Sequence, residues 1–181
     1  MCSSDLNDVC VHGLPNDEPL QEGDIASLDC GILLDGLYTD SCTTVAVGKI
    51  SDEAQRLLIA TQDALSAGLK KVRAGGYTGD ISAAIHDTLL KAGFDAMRPL
   101  TGHGLGDTLH QFPDIPNFAN GERGHLLPAN TIVAIEPIST AGSVHVREDP
   151  DGWTLRTKDG SLSAHFEHTV LVGEGGCEIL T

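Results

Sequence analysis

The chain has 181 residues, 40% of them hydrophobic and 20% charged, and a formal net charge of −15. That length supports one domain with a real core or two very small ones, and eleven scattered Lys and Arg exclude a nucleic-acid groove or an anionic-membrane face, both of which need clustered cations. No apolar run approaches the roughly 18–20 residues of a membrane span, and the N-terminus lacks the basic stretch and apolar core of a signal peptide.

In chain order, a strand is expected over 7–11. The apolar run 25–34, the dipeptide Asp35-Gly36 and the run 37–47 predict a hairpin with the two-residue turn that Asp-Gly favours. Ala54, Leu57, Leu58, Leu65, Leu69 and Val72 recur at helical spacing, predicting a helix over 51–73 with Ser51 as its N-cap and Gly75-Gly76 after its end. A second helix is predicted from Thr78, with Ile81, Ala84, Ile85, Leu89 and Ala92 as its stripe and Gly93 as its stop. Further strands are expected over 97–102, 108–112, 131–138, 153–157 and 164–172, separated by Pro and Gly. No low-complexity linker interrupts the series, so residues 1–181 read as a single α+β domain. Five cysteines form an odd set with no Cys-x-x-Cys pair, which predicts free thiols in a reducing, cytoplasmic compartment.

The hairpin also carries chemistry. With Asp35-Gly36 as the turn, Gly31 falls opposite Asp40, and Asp29 becomes the diagonal neighbour of Asp40 on one face, roughly 7–8 Å away at Cα. Two carboxylates so placed repel unless a cation joins them, and the flanking strands are too apolar for a sheet exposed on both sides. Three more candidate ligands follow. His103 lies in Thr101-Gly-His-Gly-Leu-Gly106, where the glycines are expected to leave room for a close approach. Glu136 ends an apolar strand, and Glu167 sits inside another; an unpaired charge buried in either place costs several kcal/mol. Four carboxylates and one imidazole suit two divalent ions of intermediate hardness, Co, Mn, Fe or Zn, and such a pair can activate water and polarise a carbonyl.

Taken together, Asn7-Asp-Val-Cys-Val-His-Gly-Leu-Pro15, Ser27-Leu-Asp29, Thr39-Asp-Ser41, Thr101-Gly-His-Gly-Leu-Gly106, Leu109-His-Gln-Phe-Pro113, Ala134-Ile-Glu-Pro137 and the stretch from Asp151 to Thr169 resemble the motifs of type I methionine aminopeptidases, in order and over nearly the whole chain. The resemblance implies the pita-bread fold, two similar α/β halves around a dinuclear site. It implies Asp29, Asp40, His103, Glu136 and Glu167 as metal ligands. His12 would contact the scissile amide or its leaving amine, His110 would steady the substrate carbonyl, and Glu136 would double as proton shuttle. Trp153 matches an aromatic beside the methionine pocket. The implied partners are the N-termini of peptides or nascent proteins.

The sequence departs from that pattern in places. The family's stretch before the segment matching Asn7, with two helices and part of the side-chain pocket, has no counterpart, so the first half is expected to be truncated. Its sheet face would then be covered by another subunit, as in a homodimer, or be more polar, or pack differently. Leu109 replaces an aromatic, and Gln111-Phe112 replace acidic residues. These differences keep open another pita-bread exopeptidase or amidase, such as an X-prolyl peptidase, and a non-catalytic binding protein. His86, His125, His145 and His165 receive no role from the sequence.

Overall fold

The computed structural model describes residues 2–181. The chain opens with strands β1 (Cys2–Leu6) and β2 (Val9–Val11), then β3 (Ile25–Cys30), β4 (Ile32–Leu34), β5 (Leu37–Thr39) and β6 (Ser41–Ala46). Helices α1 (Asp52–Leu69) and α2 (Thr78–Ala92) follow, then β7 (Asp95–Ala96), β8 (Thr101–Gly104) and β9 (Gln111–Pro116). The last third holds β10 (Ile132–Ile135), β11 (Ile138–Thr140), β12 (Val146–Glu148), β13 (Leu155–Thr157), β14 (Ser163–His165), β15 (Glu167–Val172) and β16 (Cys177–Ile179).

The hairpin forms with the expected register: Leu34 pairs with Leu37, and Asp35 and Gly36 take φ of 50° and 85°, the two left-handed positions of a tight turn. Ser51 caps α1, its hydroxyl accepting the Ala54 N–H at 3.1 Å, with Asp52 and Glu53 against the positive end of the helix dipole. α1 stops at Leu69, earlier than the periodicity predicts. Lys71 and Val72 bond back three residues to Gly68 and Leu69, so a tightened turn carries Val72 into the core. α2 ends as expected at Gly93, with φ 87°.

Outside the hairpin, five expected strands are divided or displaced. The strand over 7–11 is broken at Asn7, which turns the chain with φ 54° between β1 and β2. The strand over 131–138 divides at Glu136-Pro137 and that over 164–172 at Phe166, because at both points the chain leaves one sheet for another and Pro137 has no N–H for a ladder. The strands expected at 97–102 and 108–112 lie further on, as β8 and β9. The sequence reading missed β1, β7, β12 and β16.

The main sheet is antiparallel, in the order β1-β3-β6-β15-β10-β8-β9, with β16 pairing β15. Registered partners share a face, so two faces can be read from the pairing. Val133, Ile135, Val170 and Val172 point to one side, where they join Leu57, Leu65, Ile81, Ile85 and Leu89 of the two helices in the main core. On that same side Leu28 and Val45 remain 50% and 39% exposed. The opposite face carries Asp29, Glu167 and His103 and packs toward two three-stranded sheets, β14-β11-β7 and β12-β13-β2. Among the described residues no helix is long and apolar enough to cross a membrane.

Candidate metal centre and its cavity

Five adjacent strands deliver the five candidate ligands to one face. Cys42 of β6 pairs with Asp29 on one side and Glu167 on the other, which aligns those carboxylates across three strands. Ala134 of β10 pairs with His103 of β8, and Glu136 lies two residues on, at the point where β10 gives out. Asp40 occupies the break between β5 and β6. Thr169 suspends it there, accepting the Asp40 N–H at 2.8 Å and donating to its carbonyl at 2.7 Å.

The ligand atoms converge. In each of the sets Asp29–Asp40–Glu167, His103–Glu136–Glu167 and Asp40–His103–His110, one donor atom per residue lies within 4.8 Å of the others. The first two sets contain all five expected ligands and share Glu167. The His103 Nδ1 lies 2.9 Å from the Gly104 carbonyl, which can only accept, so Nδ1 carries the proton and Nε2 faces the centre, 3.2 Å from Glu136 Oε1. Glycine serves this site differently from the sequence expectation. A Cβ on Gly102 would stand 2.5 Å from the Ala134 carbonyl oxygen, and one on Gly104 would collide with Phe112 and Gln111 backbone, so these glycines admit the neighbouring strands rather than a ligand.

Packing so many acids together has an electrostatic consequence. Burial first, then the neighbouring Asp40, Asp5 and Glu136 charges, pushes the Asp29 carboxyl up to about 7. Burial likewise raises Glu167, helped by Glu136, Asp40 and Asp29, and it raises Glu136 against the opposing pull of His103. Burial would depress His103, but the adjacent Glu136 wins and its imidazole titrates above its ordinary value. Asp29 Oδ1 and Glu167 Oε1 are buried and have no hydrogen-bond partner. Unpaired buried oxygens on converging carboxylates are the pattern that a divalent cation relieves, and the donor set of four carboxylates and one imidazole fits hard-to-intermediate ions.

A cavity of about 320 Å³ opens above this floor, lined by His12, Leu14, Asp29, Asp40, Leu109, His110 and Trp153 among others. His12 has φ 64° and stacks on Trp153 with ring centroids 5.1 Å apart; the Gly13 N–H after it is held by the buried Asp5 carboxylate at 2.6 Å. His110 packs edge-on against His103 at 4.3 Å. Burial lowers the pKa of both His12 and His110. The residues proposed from sequence therefore come together as one site.

Two residues of this region received no role from the sequence. His165 is buried beside Glu136 and Glu167; its signal is its place two residues before Glu167. Asp5 lies in β1, with no pattern in the sequence to mark it. Of the other unassigned histidines, His86 pairs with Asp95 at 2.9 Å, His125 packs on Phe112 and His145 is exposed, all outside the cavity.

Comparison with known proteins agrees with this geometry. Residues 1–174 match the model of metallopeptidase family M24. The chain is 46% identical to a methionine aminopeptidase of Aquifex aeolicus, aligned over all of this chain and 71% of that protein, and 41% identical to one of Clostridium perfringens over all of this chain and 72% of that one. The structure superposes on the crystal structure of a methionine aminopeptidase from Thermotoga maritima with a TM-score of 0.96 and 40% identity, covering 99% of this chain and 73% of that one. An acidic centre on one face of a pita-bread sheet and identities of this size over the full chain lead to one assignment: the chain belongs to metallopeptidase family M24.

Proposed function

We propose that this chain is a metal-dependent aminopeptidase that removes the N-terminal methionine from peptides or nascent proteins, working as one catalytic domain in a reducing cytoplasm. The observation that carries the proposal is the convergence of Asp29, Asp40, His103, Glu136 and Glu167 beside a cavity that Asp29 and Asp40 line and whose walls include two histidines and the apolar Leu14, Leu109 and Trp153. The two triads that share Glu167 support two divalent ions, Co, Mn, Fe or Zn. Ions bound there would polarise the substrate carbonyl and make a water easier to deprotonate.

The remaining steps fall to the protein. The apolar walls take the unbranched thioether side chain of the first residue. His12 and His110 also line a second cavity of about 190 Å³, with Pro99, Leu100 and Ile138, so the peptide bond to be cut is held between the two imidazoles and the second residue lies beyond them. His110, neutral at working pH, donates to the carbonyl oxygen as negative charge develops. Glu136, its affinity for a proton raised by burial, takes one from the attacking water and delivers it to the departing nitrogen, which His12 contacts. Water's oxygen ends on the new methionine carboxylate, and its two protons on the departing nitrogen, which leaves as an ammonium.

The test is turnover of Met-Gly-Met and of an Xaa-Pro peptide by protein loaded with Mn²⁺ or Co²⁺. Release of methionine from the first alone, abolished by chelation, is expected. Cleavage of neither peptide, or of the Xaa-Pro peptide alone, overturns the proposal.

A further inference from the structure

His165 is 2% exposed, and neither of its ring nitrogens has a hydrogen-bond partner. Leaving a buried polar group unsatisfied costs about 1–3 kcal/mol. Its backbone is nevertheless held tightly. The His165 N–H donates to Thr44 Oγ1 at 2.9 Å, and the Thr44 hydroxyl donates to the His165 carbonyl at 2.7 Å. The residue is thus held in place with its ring nitrogens unused, and one of them, Nε2, faces two candidate metal ligands. Nε2 lies 3.7 Å from Glu136 Oε2 and 3.8 Å from Glu167 Oε2, a few tenths of an ångström beyond hydrogen-bond reach. A neutral imidazole has one N–H to give.

The oxygens on either side complete the geometry. Glu136 directs Oε1 to His103 and Oε2 to His165, so its carboxylate lies between two imidazoles. We infer that His165 is a positioning residue of the metal centre, donating its Nε2 proton to the outer carboxylate oxygens of Glu136 and Glu167 and so turning their other oxygens toward the cation. The inference rests on the metal-dependent reading above. Outer partners of this kind fix the orientation of ligating carboxylates, and losing one weakens metal affinity about 10–100-fold.

The experiment compares wild type with His165→Leu and His165→Gln by titrating Mn²⁺ calorimetrically and by denaturing the chelated proteins. Leucine fills the space and removes an unsatisfied polar group, so the metal-free H165L protein should be at least as stable as wild type. Its Mn²⁺ affinity should nevertheless fall about 10–100-fold, with KM for Met-Gly-Met little changed at saturating metal. Gln retains an N–H donor and should restore affinity to within a few-fold. Unchanged affinity in H165L overturns the inference while leaving the aminopeptidase reading intact. So does loss of stability in metal-free H165L, or failure of Gln to restore affinity. Wild type that binds no Mn²⁺ overturns both.

Discussion

Replacing Asp5 by Asn isolates the cost of one buried charge. Asp5 is 1% exposed; its carboxylate accepts the Gly13 N–H at 2.6 Å and the Ser3 hydroxyl at 3.2 Å. Burial outweighs both bonds and lifts its pKa from 3.8 to about 6. A carboxyl that binds its proton more tightly folded than unfolded makes stability fall as pH rises through the interval between those values, here from about 4 to about 6. At 1.36 kcal/mol per unit, the ionised group costs the folded state about 3 kcal/mol above that interval. Asn keeps an oxygen for the Gly13 N–H and can donate to the Ser3 oxygen, so both contacts survive without the charge. Denaturant melts of the chelated proteins at pH 4, 6 and 8 should therefore show the Asp5→Asn variant gaining on wild type by about 3 kcal/mol between pH 4 and pH 8. Losing the Asp5 charge also relieves Asp29, which acts in the same direction. Parallel pH curves for the two proteins would refute the reasoning.

Two other outcomes are expected. Because Asp29, Glu136 and Glu167 all hold protons above their ordinary range, the metal-free protein should lose stability as pH rises toward 7, and Mn²⁺ should raise Tm more at pH 8 than at pH 5.5, where protons compete for the same oxygens; thermal melts with and without chelator check both. Gly102→Ala should destabilise by about 1–3 kcal/mol in denaturant melts, because its methyl would stand 2.5 Å from the Ala134 carbonyl oxygen, and should weaken Mn²⁺ binding by displacing His103.

Features that depend on neighbours along the chain were legible beforehand. The Asp35-Gly36 turn fixes the register of its own hairpin, and that register alone makes Asp29 and Asp40 neighbours. Ser51 and Gly93 mark helix ends through local hydrogen bonding and backbone freedom. The five candidate ligands were legible too, because an acid inside an apolar strand is costly and the motifs that hold all five are ordered.

The rest depended on how distant strands meet. The break at Glu136-Pro137 and the one at Phe166 occur where the chain passes between sheets, and an apolar run looks alike on both sides of such a crossing. His165 and Asp5 acquire their importance from a carboxylate or an amide contributed by another segment: Glu136 lies far back along the chain from His165, and Gly13 reaches Asp5 only through the left-handed bend at His12. Hydrophobic spacing records which face a side chain occupies. Which polar atom faces it across a buried gap is set when the sheets pack, and the interior penalty for unpaired charge then makes those contacts decisive.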